Sequence, residues 1–154
     1  MVVELNYLNN LLKPFKSDLS NKPVAAISGF SVDCSLALFI KYLGYKVLAV
    51  SDKKAGLVDY GGNGGLDVFA LSILKKRGIG FNKISIYKVK NTKPEFLVKL
   101  EVDLLIVHGR AVITEENAGD IRARIVLKTS AASITRGAEE IMAEKQVKII
   151  SFDP

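Results

Sequence analysis

The sequence predicts an α/β fold: a doubly wound, mainly parallel sheet with helices on both faces. Three observations predict it. From residue 24 onward, short apolar runs of about five residues alternate with segments of helical spacing, which marks βαβ units. Most runs are apolar throughout, as in strands covered on both faces. Glycines close two of the helical segments, at Gly44 and Gly78, where a left-handed residue stops a helix. Right-handed crossovers then favour the strand order 3-2-1-4-5-6.

The elements follow in order. Residues 1–20 predict a leading helix, with Leu5, Leu8, Leu11, Leu12 and Phe15 in rough helical register and Pro14 ending or kinking it. Residues 24–28 (VAAIS) are strand one, central in the sheet. Residues 33–43 have helical spacing, and residues 46–51 (KVLAVS) are strand two. The Gly61–Gly65 loop leads into a helix over 66–77. Residues 84–89 (ISIYKV) alternate like a third strand. Residues 94–100 read as a short helix with proline in its first turn. Strands follow at 104–107 (LLIV) and 124–128 (RIVLK), then a helix at 135–145 with a threonine start, and a last strand at 147–152. Repeats and low-complexity segments are absent.

A chain of 154 residues predicts one domain, 1–154. That length buries roughly 70% of its unfolded surface. One cysteine, Cys34, excludes a disulfide framework and a thiol metal cluster. The apolar runs are too short to span a bilayer, and the N-terminus lacks a signal-peptide pattern, so a cytoplasmic protein with no membrane partner is expected. The net charge of +6 permits an acidic partner. The cations are spread along the chain, however, and the densest group, Lys75–Arg77, sits at a helix end where the dipole favours it. Nucleic acid is not the expected partner, since no motif supports the charge.

In such a sheet a ligand binds at the carboxyl ends of the strands, where strand order reverses. The first turn runs Gly29-Phe30-Ser31-Val32-Asp33-Cys34. A Rossmann-type dinucleotide fingerprint would read G-x-G-x-x-G here, and only Gly29 of it is present. Ser31 occupies the position where a backbone approaches pyrophosphate, and Asp33 brings a carboxylate to a helix N-terminus where phosphate would sit. Two unit charges about 5 Å apart repel by roughly 3 kcal/mol at an effective dielectric near 20. Asp33 also suits capping its own helix. NAD is therefore the conceivable cofactor, bound weakly. Asp52, roughly 20 residues beyond the glycine turn, is either the acceptor for ribose hydroxyls or a solvated loop aspartate. Lys53 follows it. His108 and Gly109 end the fourth strand and face the same crevice. Together Gly29, Phe30, Ser31, Val32, Asp52, Lys53, His108 and Gly109 are the candidate nucleotide-binding residues. His108, Cys34 and Asp33 lack diagnostic metal spacing, so no metal site is expected. The Gly61–Gly65 loop lacks the Lys-Ser/Thr of a phosphate cradle and reads as a connection.

Six segments carry a resemblance. Residues 24–30 (VAAISGF) resemble the V-A-I-Q-G-F-G-N-V-G of the glutamate, leucine, phenylalanine and valine dehydrogenase family. Residues 47–56 (VLAVSDKKAG) are similar to V-V-A-V-S-D-S-K-G-G, and 65–67 (GLD) to G-L-D. Residues 100–105 (LEVDLL) resemble L-E-V-D-V-L, 116–126 (ENAGDIRARIV) resemble K-N-A-D-N-I-K-A-K-I-V, and 134–141 (ITRGAEEI) resemble V-T-P-E-A-D-E-I. The segments keep the family order and cover nearly the whole chain.

The resemblance implies a glutamate dehydrogenase-like coenzyme domain standing alone. In the family the catalytic lysine and aspartate lie on an N-terminal domain, and nothing here matches them, so no catalytic residue is expected and the chain alone would be inactive. The chain also stops before the family's N-A-G-G segment. After strand four the family's P-A-A is replaced by Val107-His108-Gly109. After strand five its asparagine loop is replaced by Ser130-Ala131-Ala132-Ser133. Two roles follow: a non-catalytic, nucleotide-binding or regulatory module, or the NAD-binding part of a split amino-acid dehydrogenase whose catalytic domain is a separate chain. A homo-oligomer is expected in either case.

Overall fold

The computed structural model describes residues 2–19, 21–31, 33–62 and 64–152. The elements are α1 (Val2–Leu12), β1 (Val24–Ser28), α2 (Ser35–Tyr42), β2 (Lys46–Ser51), β3 (Gly56–Asp59), α3 (Val68–Lys76), β4 (Val89–Thr92), β5 (Leu104–Val107), β6 (Ile125–Lys128), α4 (Arg136–Glu144) and β7 (Lys148–Ser151). Short 3-10 turns link several of them. The strands form one sheet in the order β4-β3-β2-β1-β5-β6-β7. β1 lies in its centre, parallel to β2 and β5, and β5, β6 and β7 continue in parallel.

The apolar runs form strands because both faces of the sheet are covered. Leu104 and Ile106 of β5 pack with Leu8, Ile40 and Leu71 of α1, α2 and α3 on one face. Leu105 and Val107 pack on the other face with Leu97, Ile113, Ile121 and Met142. Alternation along the strand sends successive side chains to opposite cores. Leu104, Ile106 and Val107 are fully inaccessible and Leu105 nearly so, and each such side chain contributes roughly 1.5–3 kcal/mol. Helix starts follow local chemistry. The Asp67 carboxylate accepts from the Ala70 amide at 3.0 Å, and the Thr135 hydroxyl oxygen accepts from the Ala138 amide at 3.3 Å. The leading helix ends at Leu12, and Pro14 stands in the first turn of a 3-10 segment, Lys13–Asp18.

The third strand departs from expectation. Residues 84–89 are not a strand: only Ile84 is buried, residues 85–88 face solvent, and Lys88 turns with φ +58°. The strand begins at Val89, where that stretch ends. Between it and β2 lies β3, which the sequence did not announce. β3 is antiparallel to both neighbours. The expected order 3-2-1-4-5-6 is corrected accordingly: its core of five parallel strands stands, and an antiparallel strand is inserted beside β2. The expected short helix at 94–100 is a 3-10 helix, Pro94–Lys99, with its proline in the first turn.

Candidate functional site

The carboxyl ends of β1 and β5 lie side by side, with Ser28 opposite Val107, and from them the chain leaves toward opposite sides of the sheet. Gly29 turns there with φ +88°, and a Cβ on it would collide with the His108 carbonyl oxygen. The fingerprint glycine is thus required by the close approach of the β5 turn as well as by its own conformation. The Phe30 amide donates to the Ser51 carbonyl at 2.7 Å, and its ring packs inward against Phe81 with centroids 5.5 Å apart. Phe30 is therefore committed to β2 by its amide and to the core by its ring.

The Ser31 hydroxyl donates to the Asp33 carbonyl at 2.8 Å. Val32 lies outside the described residues. Asp33 is exposed, and its Oδ1 accepts from the Ser35 amide at 3.0 Å and the Ser35 hydroxyl at 2.6 Å. Those two bonds hold its carboxyl below the usual carboxylate range, helped by Lys76, against a small opposing effect of burial. The turn carries its own anion at the start of α2.

Asp52 is not a solvated loop residue. It is buried, and Oδ1 accepts from the amides of Lys54 (2.8 Å) and Ala55 (2.9 Å). Oδ2 accepts from Lys75 Nζ (3.0 Å) and the Phe81 amide (2.9 Å). Two donors per oxygen fill the lone pairs of a carboxylate. Burial pushes this carboxyl up, but the bonds from Phe81, Ala55, Lys75 and Lys54 together outweigh it and hold it below the usual value. Lys75 also lies 4.9 Å above the Phe81 ring. Lys53 is exposed beside this knot.

The exposed His108 shares a 2.6 Å hydrogen bond between Nδ1 and Thr129 Oγ1. Gly109 turns with φ +107°, and its carbonyl accepts from the Ser133 hydroxyl at 2.8 Å. The Gly61–Gly65 loop folds around Asp59, whose carboxylate accepts from the Gly61 and Gly65 amides at 3.1 Å each, the arrangement of a connection. Among the described residues, no group of three His, Cys, Asp or Glu side chains is placed to hold a metal ion. Nor is any helix of these residues long and apolar enough to cross a membrane.

Two depressions open at this end of the sheet and share Gly29, Phe30 and His108. One is a pocket of about 230 Å³ beneath the start of α2, floored by apolar side chains, with Asp33, Cys34 and His108 in its wall. The other is a wider groove of about 850 Å³ beside Asp52 and Gly109, lined by Lys53, Lys54, Lys83 and Arg110. Of the sequence-derived candidates, the described ones line one or both depressions. Thr129, Ser35 and Lys75 were not among them. Lys75 reads in sequence as a helix-end cation, and Thr129 follows a strand without any motif.

These features define a doubly wound α/β domain with an open crevice at its switch point. The chain belongs to the Glutamate/Leucine/Phenylalanine/Valine dehydrogenase family, whose profile matches residues 4–151. It is 29% identical over 137 residues to the glutamate dehydrogenase of Aeropyrum pernix, covering 88% of this chain and 32% of that protein. It is 26% identical over 133 residues to the NADP(+)-dependent glutamate dehydrogenase of Pyrobaculum calidifontis, covering 86% and 32%. Among solved structures, a hetero-hexameric glutamate dehydrogenase from Thermus thermophilus superposes with a TM-score of 0.75 at 21% identity, over 97% of this chain and 33% of that one. That likeness speaks for the fold. The chain spans about one third of the length of these relatives.

Proposed function

We propose that this chain is a non-catalytic homologue of the glutamate dehydrogenase coenzyme domain, acting as a nucleotide-binding or regulatory module that holds NAD weakly. The observation that carries the reading is the turn after β1, where the Asp33 carboxylate already bonds the first amide of α2. A phosphate at that helix start would meet a charge in its place. Because Asp33 is exposed, the repulsion lies between about 1 kcal/mol in water-like surroundings and about 3 kcal/mol at an effective dielectric of 20. That is roughly fivefold to a hundredfold in affinity. Asp52 adds to this, since its lone pairs serve the chain rather than a ribose. Gly29, Phe30, Ser31, Val32, Lys53, His108 and Gly109 are the remaining candidate contacts. Lys53, Lys54, Lys83 and Arg110 of the wider groove favour a phosphorylated ligand there.

Calorimetric titration with NAD, NADH and ADP tests this reading. The natural chain should bind NAD weakly or undetectably, and Ser31→Gly, Asp33→Val and Cys34→Gly together should raise affinity at least tenfold, within the range set by the repulsion. Low-micromolar NAD binding by the natural chain would overturn the account of the turn.

A second reading, the NAD-binding part of a split amino-acid dehydrogenase, draws on the Asp52 sequence match and on the span of one third of the relatives' length. Under it, mixing the chain with a separately produced catalytic domain of a relative restores glutamate-dependent reduction of NAD. On either reading we place the chain in the cytoplasm as a self-associating single domain, which light scattering checks.

A further inference from the structure

The pocket beneath α2 has a chemistry opposite to that of the groove beside it. Its floor is apolar: Ile27, Phe30, Phe39, Ile106 and Phe152 line it. Its polar wall includes Asp33 and His108, both exposed. Asp33 is ionised at neutral pH, and its Oδ1 takes both Ser35 donors. Among the described residues Oδ2 accepts no hydrogen bond and stays available. His108 engages Thr129 through Nδ1, and the Thr129 hydroxyl donates to the Val107 carbonyl at 3.4 Å. Nδ1 of His108 is thus taken up by Thr129, which leaves the Asp33 carboxylate as the charged group of this wall. The charge of this wall is therefore that of an acceptor with one oxygen to spare. The phenylalanine side chains of the floor give an organic group apolar surface to cover.

We propose that this pocket binds a small organic ammonium ion: a primary amine on one aromatic ring or a short alkyl chain, with its nitrogen on the Asp33 carboxylate. Size supports one ring. A dry cavity of roughly 150 Å³ takes benzene, and about 230 Å³ takes a ring with an aminoalkyl arm. Charge supports an amine over an acid. A carboxylate or phosphate in this pocket would face Asp33, whereas Lys53, Lys54, Lys83 and Arg110 offer anions a better place in the wider groove. The start of α2 would ordinarily favour an anion. Here the chain's own carboxylate satisfies that preference and leaves one oxygen over for a cation. The two depressions share Gly29, Phe30 and His108, so a nucleotide that reached the start of α2 would compete with the amine.

Titration of 2-phenylethylamine into the isotopically labelled full chain, followed by NMR, tests it. Saturable shifts at the amides of Phe30, Ser35 and Thr129 are expected below about 10 mM, the range open to a ligand of this size. The neutral 2-phenylethanol and the anionic 3-phenylpropionate should each bind at least about tenfold more weakly, the loss of one charge-assisted contact. Asp33→Asn keeps an acceptor for the Ser35 amide and so preserves the turn, yet should weaken the amine about tenfold while leaving the alcohol unchanged. Lys54→Ala, in the wider groove, should leave amine affinity as it is. Absence of saturable shifts with the amine, equal binding of the acid, or full amine affinity in Asp33→Asn would each overturn the proposal. An NAD titration on the same sample reports separately on the nucleotide reading.

Discussion

Two neighbouring turns, one after β1 and one after β2, each close on an aspartate, and they use it differently. Asp52 is enclosed and accepts four bonds that reach Lys54, Ala55, Lys75 and Phe81. It ties β2, the C-terminal end of α3 and the segment leading to β4 into one knot. Asp33 is exposed, and among the described residues its carboxylate bonds only Ser35, two residues away. One carboxylate is absorbed into the architecture. The other shapes a local turn and keeps an oxygen facing solvent. A carboxylate near a strand end is therefore informative only once its donors are counted. Saturated, it is a tie; unsaturated and exposed, it keeps an oxygen for solvent or a ligand.

The contrast can be broken most directly at Asp52. Asp52→Ala should cost about 3–5 kcal/mol in urea unfolding, because it leaves the Lys75 ammonium and the Phe81 and Ala55 amides without their acceptor. Gly29→Ala should cost about 2–4 kcal/mol by the same measurement. It forces φ +88° on a side-chain-bearing residue and drives a methyl into the His108 carbonyl. Acid titration sharpens the comparison. The Asp52 carboxyl is held below its ordinary value, so its contribution is complete above the unfolded pKa of about 3.9 and is lost as pH falls through the lower folded value. Stability measured from pH 6 to pH 2 should fall less steeply in Asp52→Asn than in the natural chain. The smallest effect is expected at Asp33. Asp33→Ala should cost no more than about 1 kcal/mol, as for the loss of a single helix-start acceptor, read as a shift in thermal midpoint. A loss at Asp33 as large as that at Asp52 would erase the distinction between the two turns.

The parallel half of the sheet was legible because burial on both faces leaves continuous apolar runs at β1, β2, β5 and β6. β3 was not. It is four residues long, opens on Gly56 and ends on Asp59, both of which read as breakers, yet all four are buried between β2 and β4. Residues 84–89 misled in the other direction. Their alternation suits a strand, but of Ile84 and Ile86 only Ile84 reaches the core, and the positive φ of Lys88 delays pairing to Val89. At the site, Gly29 was legible from its position after a strand. The fate of Asp52 was not, because two of its four donors lie 23 and 29 residues downstream. The pairing of His108 with Thr129 joins the ends of two strands 21 residues apart, a relation that only the register of β5 and β6 creates.

The two outermost strands have a consequence for how copies of this chain meet. An open sheet exposes a row of unpaired peptide groups along each rim, an invitation to endless ribbon growth. On one rim β4 carries the exposed Lys90, with Lys88 and Lys93 just outside it; on the other β7 begins with the exposed Lys148. Rim laid against rim brings ammonium groups together and strips water from them. Stacking by strand addition is thereby penalised, and the exposed large apolar side chains Tyr42 and Phe69 lie on helices, away from both rims.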